Sequence, residues 1–309
     1  MTRAGFVAIV GAPNAGKSTL VNALVGSKVS IVSPKVQTTR MRVIGIAMTD
    51  LPDDGKGGGD RAQVMLVDTP GIFRVAKRRL ERAMVAAAWQ GAEDADAVAL
   101  MVDAERGVGE ETRAIIERLK QSKAPRFLIL NKIDLVPREK LLVLTSELNG
   151  LVSFEHTFMV SALKSDGIAD VLAAFASVVP AGPFLYPEDQ AADLPLRLLA
   201  AEVTREQVFL QLHQELPYEA AVETEKWEER KDGSVRIEQI IHVQRDGQRA
   251  IFLGKGGARI KQIGARARHE LSQMLERPVH LFLHVKVSER WAEDPSHYRT
   301  IGLDYDPKS

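Results

Sequence analysis

A glycine-rich octapeptide near the start of the chain, Gly11–Ser18, has the G-x-x-x-x-G-K-S spacing of a phosphate-binding loop. Gly5–Val10 predicts a buried strand and Lys17–Val25 predicts a helix, so the octapeptide occupies a strand-to-helix turn. Its backbone N–H groups and the helix N-terminus would face phosphate oxygens. We expect Lys17 to contact the β- and γ-phosphates of a nucleotide and Ser18 to ligate Mg²⁺. The expected phosphate-loop residues are Gly11, Ala12, Pro13, Asn14, Ala15, Gly16, Lys17, Ser18 and Thr19.

Two further segments supply candidates for the metal and the γ-phosphate. An apolar strand ends in Asp68-Thr-Pro-Gly71, where Asp68 could hold Mg²⁺ and the Gly71 N–H could face the γ-phosphate. Ser27–Arg42 is polar, basic and broken by proline, and it follows the first helix as a switch loop would. We expect Thr39 to reach Mg²⁺ and the γ-phosphate, with Thr38 as the alternative. The predicted catalytic residues are Lys17, Thr39 and Gly71, and the predicted metal ligands are Ser18, Thr39 and Asp68.

A second pair of segments predicts a site for a purine base. The apolar strand that begins at Arg126 ends in Asn131-Lys132-Ile-Asp134, and a later strand ends in Ser161-Ala162-Leu163. A carboxylate at Asp134 can accept hydrogen bonds from N1–H and N2–H₂ of guanine, and adenine has no such pair of donors. Asn131 would brace the loop, the Lys132 stem would cover the ring, and the Ala162 N–H would donate to the guanine carbonyl. These segments resemble the base-binding boxes of translation-factor-like GTPases.

The elements that must position these residues alternate along the first part of the chain. Strands are predicted near residues 5–10, 43–49, 62–68, 96–103, 126–131 and 156–161, and helices near 17–26, 75–90, 110–121, 138–149 and 167–178. This alternation predicts an α/β domain with a mostly parallel sheet and helices on both faces. Ligands of such sheets bind at the carboxyl ends of the strands, where the candidate residues lie. We place this GTP-binding domain at residues 1–179.

Composition narrows the class of protein. The chain has 309 residues, enough for two domains, and 45% of them are hydrophobic. It has no cysteine, which excludes disulfides and cysteine-ligated metals and fits a reducing compartment. Basic and acidic residues balance at 41 each, so net charge does not indicate a partner. With no apolar run of membrane-spanning length and no signal-peptide core, we expect a cytoplasmic protein.

Three prolines and three acidic residues in Pro180–Asp193 predict a linker at 180–194, followed by a second domain at 195–309. That domain has a helical pattern at Leu196–Leu212, strands at Ala220–Glu228 and Ser234–Gln244, a short apolar strand at Ala250–Leu253, and a last strand at Val279–Val287.

One polar segment of the first domain carries no predicted site. Asp50–Arg61 lies between two strands and predicts a polar hairpin tip, and its Gly55–Asp60 portion looks like an insertion.

A glycine-rich loop in the second domain predicts contact with single-stranded nucleic acid. Gly254-Lys-Gly-Gly257 lies between an apolar segment and a basic helix, as in the G-x-x-G clamp of KH domains. Residues 249–268 contain six basic residues and no acidic one. Because the whole chain has no net charge, this cluster of basic residues would create a local positive potential. The predicted RNA-binding residues are Gly254, Lys255, Gly256, Gly257, Arg259 and Lys261.

A guanine-nucleotide domain followed by a type II KH domain resembles the Era family, and the Gln37–Arg42 and Gly254–Gly264 segments are also similar to it. The resemblance covers essentially the whole chain. It implies a GTPase that hydrolyses GTP to GDP and phosphate, uses Mg²⁺, binds small-subunit (16S-type) ribosomal RNA near its 3′ end and assists subunit maturation; DNA is not an expected partner. Ile72 replaces the glutamine that orients water in Ras-like enzymes, so hydrolysis is expected to be slow. Asn14 occupies the position where related GTPases use asparagine to help bind K⁺, which makes K⁺ a second candidate cation.

Two alternatives remain. The chain could be a GTPase switch that acts on a protein or a membrane surface, with its C-terminal domain as an interaction or dimerisation module. An RNA fragment crosslinked at Lys255 would separate these two functions. An ATPase is the second alternative, and Asp134 argues against it.

Overall fold

The computed structural model describes residues 2–35, 38–51, 60–73, 76, 78–212, 216–289 and 291–305. The chain forms two compact units. The first comprises Met1–Ser30, Thr39–Asp193 and Gly302–Ser309, and the second comprises Ile31–Thr38 and Leu194–Ile301. Gln37, residues 52–59 of the predicted hairpin tip with most of its insertion, and residues 75 and 77 of the helix predicted at 75–90 lie outside the described residues. No helix in the described ranges combines the length and the apolar character needed to cross a membrane.

The first unit is built on a seven-stranded sheet of order β6-β5-β4-β1-β3-β2-β7, in which all strands run parallel except β2, which is antiparallel to its neighbours β3 and β7. Its strands are β1 Thr2–Gly11, β2 Val43–Asp50, β3 Arg61–Asp68, β4 Ala97–Asp103, β5 Arg126–Asn131, β6 His156–Val160 and β7 Ala192–Asp193. Its helices are α1 Lys17–Val25, α2 Arg79–Glu93, α3 Glu110–Leu119, α4 Arg138–Leu151 and α5 Ile168–Val178. The predicted α/β fold with a mostly parallel sheet is confirmed.

Helices cover both faces of this sheet because its central strands are apolar throughout. Every residue of β4 is buried, as expected for a parallel strand covered on both sides. Leu20 of α1 and Phe175 of α5 pack on one face. Trp89 of α2, Ile116 of α3 and Leu148 of α4 pack on the other. The core therefore holds the strand ends in a fixed row, where the candidate nucleotide residues are found.

The segment predicted as a linker, Pro180–Asp193, makes regular contacts with the first unit. The Ala4 N–H donates to the Pro180 carbonyl at 3.0 Å, and β7 pairs with β2 as an edge strand. The Gln63 side chain also accepts hydrogen bonds from the backbone N–H groups of Leu185 and Tyr186, at 2.8 and 3.0 Å. These bonds satisfy backbone groups of a proline-interrupted segment that cannot form a helix.

The second unit has a three-stranded sheet of order β10-β9-β8, in which β9 is parallel to β10 and antiparallel to β8. Its helices are α6 Leu196–Gln211, α7 Asp246–Leu253, α8 Ala258–Met274 and α9 Pro295–Thr300, and its strands are β8 Ala221–Glu229, β9 Val235–Val243 and β10 Val279–Val287. Buried and half-buried residues alternate along β9, and the buried face packs against Val208, Phe252 and Ile263 of the helices. The unit is a small α+β domain, as the sequence predicts.

One predicted element of this unit is wrong: Ala250–Leu253 is the end of helix α7, not a strand. Gln248 and Phe252 are both buried, and their spacing of four residues gives the segment one inward helical face. The Gln248 side chain also accepts a hydrogen bond from the Gln244 N–H at 2.7 Å just before the helix begins. The order from α6 to β10 is therefore α-β-β-α-α-β.

Candidate nucleotide and nucleic-acid sites

The predicted phosphate loop lies between the end of β1 at Gly11 and the start of α1 at Lys17. Gly16 has φ 100°, and a Cβ there would lie 2.3 Å from Nδ2 of Asn131, so only glycine fits this turn. Asn14 is the other left-handed residue of the loop, with φ 62°. Ala12, Pro13 and Asn14 are half-buried, Ala15 is buried, and Thr19 is half-buried within the first turn of α1.

The Lys17 ammonium lies over this loop and is only 6% exposed. It donates to the carbonyls of Gly11 and Ala12, at 3.1 and 3.0 Å. Burial lowers the pKa of Lys17 to about 8, and the Asp68 carboxylate acts in the opposite direction. A phosphate on the loop would bring negative charge to a cation with little access to water, which is where a charge pair is strongest.

The three predicted metal ligands converge. The hydroxyl oxygens of Ser18 and Thr39 lie 2.7 Å apart, and the Asp68 carboxylate is fully buried beside them. Neither oxygen of Asp68 has a hydrogen-bond partner of normal geometry among the described residues. Burial raises the pKa of Asp68, and the Ser18 hydroxyl and the Lys17 charge oppose that rise. A buried carboxylate with two hydroxyls is an all-oxygen donor set that suits Mg²⁺.

The structure places Thr39 and Thr38 differently. Thr39 reaches Ser18, whereas the Thr38 hydroxyl lies 2.6 Å from that of Ser33 and donates to the Lys35 carbonyl at 2.7 Å. Of the two candidates, Thr39 is therefore the one beside the predicted metal ligands.

Gly71 approaches the phosphate loop closely. A Cβ on Gly71 would lie 2.9 Å from Cα of Pro13, so a side chain there would displace the loop. The next residue, Ile72, donates its N–H to the Gly11 carbonyl at 3.2 Å and is 4% exposed within the apolar core. Ile72 therefore supplies no polar group to orient a water molecule.

Asn131 connects three segments of the site. Its Nδ2 donates to the Ala15 carbonyl at 2.8 Å, and its Oδ1 accepts the Ala162 N–H at 3.0 Å. The buried amide thus ties the phosphate loop to the two predicted base-binding segments. The same Ala162 N–H is the group that we expect to donate to a guanine carbonyl, and its contact with Asn131 places it beside the predicted base-binding segment.

Asp134 lies in the short 3₁₀ turn Ile133–Leu135, next to the loop that contains Ser161. Its carboxylate is 3.2 Å from the Lys164 ammonium. The nearby Ser161 hydroxyl and the Lys164 ammonium hold the pKa of Asp134 below its ordinary value. The group is thus anionic at neutral pH, as an acceptor of two guanine N–H groups must be. Leu163 beside it is 83% exposed.

One residue of this region was not found from the sequence. Asp103 ends β4, and its carboxylate accepts a hydrogen bond from the Lys132 ammonium at 2.6 Å. The signal was a carboxylate at the end of an apolar strand, the same signal that identified Asp68.

The predicted switch segment is held by α6 of the second unit. The Val32 N–H donates to Glu206 at 2.7 Å, and the Lys35 ammonium donates to the carbonyls of Phe209 and Leu212. Arg205 is buried, pairs with Glu202 and donates to the Thr38 carbonyl. Residues 31–38 thus belong to the second unit, whereas Thr39 belongs to the first.

The Gly254–Gly257 loop joins α7 to α8. Gly254 has φ 69° and ψ 177°, a conformation that glycine adopts almost alone, and a Cβ there would meet Cβ of Arg259 at 2.8 Å. Lys255, Gly256 and Lys261 are exposed, and nothing lies within 4 Å of a Cβ built on Gly256 or Gly257. Arg259 is exposed and donates to the Ile251 carbonyl at 3.1 Å, which ties α8 to α7.

A groove of about 320 Å³ runs beside this loop between α8 and β10. Its lining residues are Ile260, Lys261, Gly264, Ala265, Arg268, Leu281, Phe282 and Leu283. Phe282 is 45% exposed, and the Arg236 guanidinium lies 5.0 Å from its ring centre. Phe282 is not among the RNA-binding residues predicted from the sequence; its signal is an aromatic residue at a solvent-facing position of an alternating strand.

A P-loop fold with an all-oxygen metal site and a second unit with a G-x-x-G loop define a GTPase linked to a KH domain. Comparison with protein families agrees. A model described as a 50S ribosome-binding GTPase matches residues 6–132, and a KH domain model matches residues 215–292.

Comparison with individual relatives identifies the family within this class of GTPases. It is 58% identical over 304 residues to GTPase Era of Afipia carboxidovorans, with 98% of this chain and 95% of that protein covered. It is equally identical to GTPase Era of Rhizobium meliloti, over 98% of this chain and 94% of the relative. The chain belongs to the GTPase Era family.

Solved structures agree with this assignment. A structure of Era in complex with MgGDPNP and nucleotides 1506–1542 of 16S ribosomal RNA has a TM-score of 0.90 and 38% identity, covering 99% of this chain and 100% of that one. An Era variant from Aquifex aeolicus bound to GDP and AlF₄⁻ has a TM-score of 0.89 and 38% identity, covering 98% and 100%.

Proposed function

We propose that this chain is a cytoplasmic, GTP-hydrolysing switch that binds 16S-type ribosomal RNA near its 3′ end and assists maturation of the small subunit. The observation that carries this proposal is the similarity over 99% of the chain to an Era structure that contains both MgGDPNP and nucleotides 1506–1542 of 16S ribosomal RNA. The phosphate loop, the G-x-x-G loop and the groove beside it supply matching chemistry in this chain.

The nucleotide site would work mainly by positioning and charge. Lys17 and the N–H groups of the phosphate loop would bind the β- and γ-phosphates, and Gly71 would let the backbone approach the γ-phosphate. Ser18, Thr39 and Asp68 would hold Mg²⁺, which would neutralise charge on the phosphates. Asp134 would select guanine, and Asn131 would keep the base-binding segments in register with the phosphate loop.

Hydrolysis at this site would be slow without a further group. Ile72 is buried and apolar where Ras-like enzymes carry the water-orienting glutamine. A monovalent cation beside Asn14 would add positive charge at the phosphates, and Asn14 lies within the phosphate loop.

Replacing K⁺ by Na⁺ at fixed ionic strength is therefore expected to lower the rate of GTP hydrolysis by at least about threefold, since Na⁺ is too small to fill the same coordination. The measurement is phosphate release in the two salts. Asn14→Ala is the control and should remove the difference between them. Equal rates for the unaltered protein in both salts would show that K⁺ has no role.

The switch segment provides a route from nucleotide to RNA-binding unit. Thr39 would follow Mg²⁺ and the γ-phosphate, whereas the preceding residues are anchored to α6 by Arg205 and Glu206. Because the segment is continuous, a change at Thr39 on hydrolysis would act on the anchored residues. This arrangement supports a nucleotide-dependent change in the KH unit.

The proposal is tested by titrating the protein against a labelled RNA with the sequence of the 16S 3′ end and against a shuffled RNA of equal length, with GTP hydrolysis measured in parallel. We expect GTP to be hydrolysed, ATP to be a poor substrate, and the 3′-end RNA to bind more tightly than the shuffled RNA. GTP hydrolysis without binding to either RNA would favour a protein or membrane surface as the partner.

A further inference from the structure

We propose that Asp103 is a positioning residue for guanine recognition, acting through Lys132. Its carboxylate holds the Lys132 ammonium so that the methylene stem stands ready to cover the ring of the base. This inference rests on the proposal that Asn131–Asp134 forms a guanine site, and it adds to that site a residue from a different strand.

The fold brings the two side chains together from neighbouring strands. β4 and β5 are adjacent and parallel, and Asp103 is directly opposite Asn131 in their register. The Ala104 N–H donates to the Asn131 carbonyl at 2.9 Å, which extends the pairing past the end of β4. Lys132 is the next residue after Asn131, so its side chain starts one residue beyond the point where Asp103 lies.

The two oxygens of Asp103 have separate partners. Oδ1 accepts the N–H of Glu105 at 2.9 Å and that of Arg106 at 3.4 Å, which fixes the carboxylate on its own turn. Oδ2 accepts the Lys132 ammonium at 2.6 Å. Asp103 is 5% exposed, so this acceptor has little access to water and is held in one orientation. A charged hydrogen bond in this setting is stronger than one at an open surface.

Ordering the Lys132 side chain costs free energy, and the hydrogen bond to Asp103 offsets that cost. It has φ 64°, a left-handed conformation that lysine rarely adopts. Its side chain has four rotatable bonds, and fixing them on nucleotide binding would reduce affinity. With the ammonium held by Asp103, the stem is ordered before the nucleotide arrives. The pair therefore preorganises one wall of the base site.

The test is a double-mutant cycle on GDP affinity, measured by calorimetry on the full chain. Asp103→Asn keeps an oxygen for the N–H groups of Glu105 and Arg106 and removes the acceptor for Lys132. Lys132→Met keeps most of the stem and removes the charge. We expect Asp103→Asn to weaken GDP binding about fivefold in the unaltered background and less than about twofold in Lys132→Met. An equal loss in both backgrounds would show that Asp103 does not act through Lys132.

Two controls separate positioning from a general structural effect. Arg106 has its Nε 3.7 Å from Oδ2 of Asp103, so Arg106→Ala removes the other side-chain partner and should change GDP affinity less than about twofold. A loss as large as that of Asp103→Asn would assign the effect to Arg106.

The second control is the GDP-to-IDP affinity ratio, which depends on Asp134 and should be unchanged in Asp103→Asn. A ratio that falls towards one would mean that the loop itself has collapsed, and the inference would be wrong.

The affinities for GDP and ADP, together with the double-mutant cycle, distinguish a failure of this inference from a failure of the proposed guanine site. If the unaltered protein binds ADP as tightly as GDP, the guanine site is wrong and the role of Asp103 falls with it. If GDP is preferred but the cycle shows additive effects, only the role of Asp103 is wrong.

Discussion

Asp134→Asn is expected to weaken GTP binding by at least about 100-fold and to give the protein affinity for xanthosine triphosphate. The carboxylate would accept two hydrogen bonds from guanine, and a charged hydrogen bond contributes about 1.5–3 kcal/mol. Asparagine replaces one acceptor by an N–H₂ donor that faces a guanine donor and removes the charge from the other acceptor, so the combined loss corresponds to about 100-fold or more. Xanthine has a carbonyl where guanine has its amino group, and the amide of asparagine can donate to that carbonyl.

Competition between GTP and xanthosine triphosphate for the variant measures this exchange directly. Asp166→Asn is a matched control, because Asp166 is an exposed aspartate in the adjacent loop and the same change there should leave the preference for GTP intact. A variant at Asp134 that still prefers GTP would remove this residue from the base site.

The second large effect is expected in the KH unit, where Lys255→Asp combined with Gly256→Asp should lower affinity for single-stranded RNA by at least about tenfold, or about 1.4 kcal/mol. The substitutions put two carboxylates and a Cβ where a phosphate would lie against the loop. The space around Gly256 is open and aspartate tolerates a left-handed φ better than most residues, so the unit should remain folded. GTP hydrolysis should be unaffected in the absence of RNA.

The turn between β8 and β9 offers a matched control. Lys231→Asp with Gly233→Asp makes the same charge change in the same unit, at a glycine with φ 80° and no atom within 4 Å of a built Cβ. Titration of labelled RNA against both variants should show the loss only for the Lys255 and Gly256 pair. Binding by the unaltered protein should also weaken as salt increases. An equal loss in both variants would indicate non-specific repulsion, and no loss in either would contradict RNA binding at this loop.

The nucleotide site could be predicted in detail because its signals are local. Each candidate occupies the end of an apolar strand, and the alternation of strands and helices is enough to bring those ends to one edge of the sheet. The spacing of the phosphate loop also determines its backbone shape, so Gly16 and Lys17 could be assigned roles before any coordinates were known. The G-x-x-G loop is local in the same way.

What the sequence could not provide depends on contacts between distant segments. The hydrogen bond from the Ala162 N–H to Asn131 joins residues 31 positions apart, and only the fold shows it. The hydrogen bonds between the switch segment and α6 join residues about 170 positions apart. The residue pattern of neither segment indicates these contacts. Ala250–Leu253 fits a strand as well as a helix, because four apolar or small residues are compatible with either period, and only the burial of Gln248 distinguishes the two.

The most direct test of a GTP-controlled RNA-binding protein is to crosslink it to RNA in cells and sequence the fragments attached to the KH unit. We expect fragments from the 3′ end of small-subunit ribosomal RNA, crosslinked near Lys255 and Phe282, and far fewer from the Lys255→Asp and Gly256→Asp variant. Fragments spread evenly over cellular RNA, or the same fragments at the same yield from the variant, would contradict the account.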